Sequence, residues 1–292
     1  MLRISELYIY PIKSLSGIPV KEARVTEKGF EHDRRWMLVD ENNLFISQRE
    51  CPQMALLQPS IEVDGLRVTH KIKGESMTIP FDAPPPTGGG RGAKTVTVTI
   101  WDDICTAEFV SQEADQWFRA MLGINCRLVY MPDDCRRLVD QKYAPGDSVT
   151  SFSDAYPFLI IGQASLDDLN NRLAETLPME RFRPNMVFTG GEPYEEDLMG
   201  NIIIGGINFY GVKLCARCII PTIDQNNASR GKEPLKTLTS YRFKNNKIYF
   251  GQNLVHKGDG TIAVGDSLQT ISLNHDGRFI INDGLKKVNL AD

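Results

Sequence analysis

The sequence predicts a mainly β fold with peripheral helices, of the α+β class. Three observations point there. Short runs of alternating or β-branched apolar residues, bounded by turn residues, recur along the chain. Only two stretches carry apolar residues at helical spacing. No regular alternation of strand and helix appears, which favours a barrel or sandwich over a doubly wound sheet.

Taken in order, the first hundred residues read as strands joined by tight turns. "ELYIYPI" alternates, "RWMLVDENNLFISQ" folds back around Glu41, Asn42 and Asn43, and "SIEVDGLRVTH" turns at Asp64 and Gly65. Residues 82–94, "DAPPPTGGGRGAK", form a loop by their proline and glycine content. "KTVTVTIW" then alternates cleanly. The first helix is "SQEADQWFRAMLG": Ser111 caps it, Ala114, Trp117, Phe118, Met121 and Leu122 share a face, and Gly123 ends it. A second helix is expected to begin at Ser165, with Asp168 completing a capping box and Leu166, Leu169 and Leu173 forming its stripe. The remaining strand candidates are "CRLVYM", "PFLIIG", "RPNMVFTG", "NIIIGGINFYGVKL", "KIYFGQNLVH" and "TIAVGDSLQTISL". A boundary near residue 130 gives a smaller β domain, 1–130, and a larger one, 131–292.

At 292 residues, 41% apolar and 24% charged, the chain can bury one large core or two modest ones. Its net charge of −4 argues against a general nucleic-acid or anionic-membrane binder, so any anion must meet a local basic cluster. No apolar run approaches the roughly 18 residues of a membrane span. "MLRISELYIYPIKS" lacks a signal peptide's apolar block. Six cysteines, only two of them closely spaced, make no disulfide framework, and the four histidines are scattered. A reducing cytoplasm is the expected location.

The two neighbouring thiols are Cys215 and Cys218, in "GVKLCARCIIPTIDQN". Structural zinc and iron–sulfur clusters need four ligands, and no second pair supplies the others. A thioredoxin-like dithiol should open a helix, whereas "IIPTID" is β-branched around a proline and reads as strand and turn. Two readings remain open at this point. Either one thiolate ligates a metal or acts as a nucleophile, favoured by the adjacent Arg217 guanidinium, or both cysteines are small buried hydrophobes.

Three further stretches bear on the choice. "YIYPIKSLSG" sets Lys13 and Ser14 just past a strand, "GFEHDRRWMLVD" sets Arg34 at the mouth of another, and "ERFRPNMVF" sets Arg183 and Asn185 where a third begins. A lysine, a hydroxyl and two arginines at strand mouths suit phosphate recognition. No Walker loop or glycine-rich dinucleotide fingerprint accompanies them.

Together these stretches resemble a known family. "LYIYPIKSLSGIPV" and "HDRRWMLVD" are similar to the N-terminal β-barrel domain of MOSC proteins. "DAYPFLIIGQASLDDLNNRL", "RFRPNMVF", "CARCIIPTIDQ", "KEPLKTLTSYR" and the segment from "FGQNL" to "TIAVGD" are similar to the MOSC domain. The resemblance runs from about residue 1 to 270. It implies a β-barrel MOSC domain beside a smaller N-terminal β domain, with the amidoxime-reducing components of mitochondria and their bacterial counterparts as relatives.

What the resemblance implies is specific. Cys218 would be the protein thiolate on molybdenum, and Cys215 a neighbour without that role. Lys13, Ser14, Arg34, Arg183 and Asn185 match positions that hold a single pterin (molybdopterin) and its phosphate. Arg217, Asn253 and Asp154 match further cofactor-side positions, while Ala155 and Tyr156 depart from the hydroxyl pair of the mitochondrial members. The implied activity is a molybdenum-cofactor-dependent oxidoreductase reducing N–OH to N–H. Electrons would come from a separate protein of ferredoxin, flavodoxin or cytochrome b5 type with its reductase, because no cysteine follows Cys218. A cofactor carrier, or a sulfur-relay module bearing a persulfide on Cys218, is the alternative. A third is a β-rich binding domain with inert cysteines.

Overall fold

A computed structural model describes residues 1–81, 95–144 and 146–281; the proline- and glycine-rich segment 82–94 lies outside them. Within these residues the chain is mainly β, with three α-helices.

The largest sheet has nine strands. Its order runs Ile18–Val20, Arg3–Ile9, Met186–Thr189, Phe158–Gly162, Lys247–Lys257, Ile207–Ala216, Asn201–Ile204 and Leu268–Thr270, with Phe243–Lys244 paired off this path. Arg3–Ile9 carries a register shift between Ile4 and Glu6. The shift explains why Ile4, Leu7 and Ile9 are the buried residues instead of a strict every-other set. Strands from both sides of residue 130 pair with one another: Leu7 with Met186 in this sheet, and Ala23 with Ile262 in a smaller, separate one.

One crossover departs from the sequence expectation. Phe158–Gly162 and Met186–Thr189 pair in parallel, joined through the helix α2, Gln163–Asn170, so the fold holds one βαβ unit. "FLIIG" is buried along its whole length, as a strand covered on both faces should be. The helix begins at Gln163, and Ser165 is not its cap. Burial explains this: Ser165 Oγ donates to Glu196 Oε2 at 2.8 Å and accepts from the Tyr194 amide at 2.7 Å, partners the local sequence does not contain.

A second sheet joins Trp36–Val39, Arg127–Tyr130, Asp103–Phe109 and Thr95–Ile100. A third joins Leu57–Ile61, Gly65–His70 and Ser76–Pro80, the hairpin expected at Asp64 and Gly65. The helix α1, Gln112–Leu122, has the expected ends: Ser111 Oγ accepts from the Ala114 amide at 3.0 Å, and Gly123 takes φ 69°. Its Ala114, Phe118, Met121 and Leu122 enter one core with Trp36, Leu38, Leu66 and Leu128. The other main core fills the large sheet around Phe158, whose ring meets Phe30 and Phe209 edge-on at 5.0 and 5.3 Å. A short third helix, α3, spans Leu235–Thr239. Among the described residues no helix is long and apolar enough to cross a membrane.

Candidate functional site

The ends of several strands converge on a cavity of about 250 Å³. Lys13, Ser14, Arg34, Asp154, Arg183, Asn185, Arg217, Cys218 and Asn253 all line it. These are the nine residues singled out in the sequence, drawn from segments up to 240 positions apart (253 − 13).

Backbone geometry aims several of them. Ser14, Arg34 and Arg183 sit at φ 68°, 49° and 56°, the left-handed region that side-chain-bearing residues rarely occupy. Such strain persists where the surrounding structure enforces it. Here Arg34's amide is tied to the Tyr10 carbonyl at 2.8 Å, and Arg183's to the Glu180 carbonyl at 3.1 Å. The two guanidinium groups lie on the ring of buried Tyr10, 4.4 and 4.3 Å from its centroid. Arg34 also donates to Asp33 Oδ2 at 2.6 Å and Asn185 Oδ1 at 3.0 Å. Arg183 donates to the Leu15 carbonyl at 2.6 Å.

Charge is unevenly distributed. Six cations line the cavity, Lys13, Arg34, Arg49, Arg183, Lys213 and Arg217, against one carboxylate, Asp154. Burial lowers the Lys13 ammonium to about 8, a shift that Asp154 partly opposes. Burial, reinforced by Arg34 next to it, brings Arg183 down to about 10, while Tyr10 works the other way. Asp154's side chain is 55% exposed. Crowding pushes its carboxyl up, but the charges of Lys13 and Arg49 overcome that and hold it below the carboxylate range.

The cysteine pair is differentiated. Cys215 Sγ accepts from Arg217 Nη1 at 3.0 Å, and burial raises its thiol despite that charge. Cys218 Sγ accepts from Arg49 Nη2 at 3.3 Å. The adjacent Arg217 thus attends Cys215, while Cys218 is met by Arg49 from a distant segment. Residues two apart on an extended chain share a side, so Arg217 meets Cys215. In "IIPTID" the expected turn is a 3-10 turn, Ile220–Thr222, with the Thr222 amide bonded to the Ile219 carbonyl at 2.9 Å, and the expected strand is reduced to an isolated bridge from Ile223 to Arg230. The strand that carries Cys215 ends at Ala216, which leaves Cys218 in the connecting loop.

Asn253 lies within the Lys247–Lys257 strand, its Nδ2 donating to the Lys213 carbonyl at 3.1 Å. Arg49, Ser153 and Lys213 line the cavity without having been anticipated. Arg49 follows buried Ser47 and Gln48 in "SQRE", a polar run that reads locally as surface. Only its spatial partners, Asp154 and Cys218, mark it. Among the described residues no cluster of three or more His, Cys, Asp or Glu could hold a metal unaided.

Comparison with known proteins agrees with this architecture. Residues 1–125 match the MOSC N-terminal beta barrel domain, and residues 147–269 match the MOSC domain. The chain is 33% identical over 281 residues to mitochondrial amidoxime-reducing component 1 of Mus musculus, across 90% of this chain and 80% of that one. The Homo sapiens protein of the same name is 31% identical over 281 residues, across 90% and 81%. Molybdenum cofactor sulfurase of Danio rerio is 29% identical over 271 residues, which span 87% of this chain but 32% of that one.

Proposed function

This chain belongs to the MOSC family, with the N-terminal MOSC β-barrel domain preceding the MOSC domain, and we propose that it is a molybdenum-cofactor-dependent reductase of N-hydroxylated compounds. The observation that carries the reading is the convergence of a cation-rich cavity on the Cys215 and Cys218 thiols, of which Cys218 lies in a loop and accepts from Arg49.

The residues present fit a phosphorylated pterin holding a thiophilic metal. Six cations against one carboxylate leave a positive surplus that would favour an anionic group such as a phosphate. Buried Arg217 Nε has no hydrogen-bond partner among the described residues, a donor ready for an acceptor on the ligand. Lys13, Ser14, Arg34, Arg183 and Asn185, which line the cavity together, would hold the pterin and its phosphate. Cys218 would supply the soft thiolate that suits a redox-active metal, with Cys215 set back by its bond to Arg217. When bound, molybdenum supplies the two electrons that N–O cleavage consumes. The protein's part is to orient that centre, offset its charge and leave a side open to a small substrate. Electrons would arrive from an external carrier protein.

The relatives named amidoxime-reducing components support a reductase. The test is molybdenum and pterin content per chain in protein made in a cofactor-competent host, with reduction of an N-hydroxylated amidine by a chemically reduced dye. One molybdenum and one pterin per chain, with turnover, is the expected result. A persulfide on Cys218 without molybdenum would instead favour the sulfur-relay alternative suggested by the sulfurase likeness.

A further inference from the structure

We propose that Arg49 is a positioning residue for the Cys218 sulfur, fixing its direction and tempering its electron donation; this rests on the reading of Cys218 as the metal-ligating thiolate. Arg49 Nη2 stands 3.3 Å from Cys218 Sγ and 3.2 Å from Asp154 Oδ2. The guanidinium carbon lies 4.5 Å from the centroid of the Trp101 ring, and the side chain is 15% exposed. It is thus held by an ion pair, an aromatic face and the thiol at once.

The surrounding loops are built to deliver it there. Gln48 and Gln225 exchange amide hydrogen bonds at 3.2 and 3.1 Å, and both are buried. Gln48 Nε2 also reaches the Ser14 carbonyl at 2.7 Å. Arg230 Nη2 donates to Arg49's own carbonyl at 2.6 Å. The loop carrying Arg49 is therefore clamped to the loop that follows Cys218, across a sequence gap of 177 residues. Trp101, a bulky side chain, occupies φ 56°, and that strained tip carries the ring lying against Arg49. A salt bridge to Asp154 alone would need neither the clamp nor the stacked ring.

The chemistry follows from the donor. An N–H···S bond uses one sulfur lone pair and leaves others for a metal. Hydrogen bonds and charge at a ligating sulfur tune the potential of the metal it holds, and partners of this kind typically contribute about 10- to 100-fold to metal affinity or activity. A cationic donor withdraws electron density, so its removal makes the sulfur a stronger donor and lowers the reduction potential of the bound metal.

Two arms test this. In metal-free protein, thermal unfolding of Arg49→Gln, Cys218→Ala and the double variant should give Tm shifts that are non-additive, because the two side chains share a contact. Additive shifts overturn the proposal. In cofactor-loaded protein, Arg49→Gln should keep its molybdenum, lose about 10- to 100-fold in kcat with KM little changed, and show a lower molybdenum potential by EPR-monitored titration; Arg49→Lys should recover part of each. Unchanged kcat and potential overturn it. So does loss of molybdenum in Arg49→Gln that lysine restores in full, since Arg49 would then be a phosphate-holding cation. If the wild type takes up no molybdenum, the reductase reading fails, and the metal-free cycle still decides whether Arg49 holds the Cys218 sulfur.

Discussion

Lys13 Nζ and Asp154 Oδ1 meet at 2.5 Å although 141 positions separate them in the sequence. Lys13 is buried and also donates to the Phe152 carbonyl at 2.8 Å, whereas Asp154 stands at the cavity's open side. A buried ammonium with one partly solvated partner has a definite pH signature.

Lys13 titrates near 8 in the folded chain against an ordinary 10.5. Below about 8 both folded and unfolded chains bind this proton, and the folded state carries the full cost of burying the charge. As pH rises from about 8 to 10.5 the folded chain releases the proton first, so stability increases, by roughly 3 kcal/mol at most. Urea midpoints across this window should climb more steeply in wild type than in Lys13→Met. Identical slopes in the two proteins would remove the assignment. Asp154→Asn, which deletes the opposing charge, should move the window to lower pH.

The two cysteines should separate cleanly. Cys218→Ala is expected to abolish N-reductive turnover and to strip molybdenum from the protein, while Cys215→Ala keeps most of both. Metal analysis beside turnover makes the comparison. Equal loss from both substitutions would indicate a dithiol pair.

Asp33 is the buried counter-charge of Arg34, with its other oxygen accepting from the Tyr10 amide at 2.8 Å. Its removal leaves a nearly buried guanidinium without a carboxylate. Asp33→Ala should therefore cost about 3–5 kcal/mol in urea unfolding, and Asp33→Asn less. A change below about 1 kcal/mol for the alanine variant would mean that solvent already satisfies Arg34.

Truncating either Gln48 or Gln225 removes the donor to the other's buried amide oxygen, while each remaining Nε2 keeps a backbone acceptor. Each alanine variant should lose about 1–3 kcal/mol, and the double variant clearly less than the sum. Denaturant midpoints of the three variants measure it; additivity would show that the clamp contributes nothing as a pair.

Legibility in the sequence followed the reach of each interaction. The cap at Ser111 and the stop at Gly123 depend on neighbours within one helix, and both were readable. The strands on which the cavity residues depend alternate or run apolar, so their mouths could be located, and with them Lys13, Arg34 and Arg183. Ser165 was misread because its oxygen answers Glu196 and Tyr194, about thirty positions away. Arg49 was not seen because its meaning comes from partners 105 and 169 positions distant, while its neighbours look like surface. The parallel crossover through α2 was hidden for a related reason: one βαβ unit among many hairpins leaves no periodic trace.

The large sheet takes Arg3–Ile9 near its start and Lys247–Lys257 near its end, and the cavity draws on both regions through Lys13 and Asn253. During synthesis, then, the first strand can pair early with Ile18–Val20 on one edge, but its other edge must wait for Met186–Thr189 to leave the ribosome. A phosphorylated ligand of the proposed kind could not be gripped on all sides until Asn253 has emerged, so its loading would be a late event in the life of the polypeptide, and halves expressed apart would each lack a wall of the chamber.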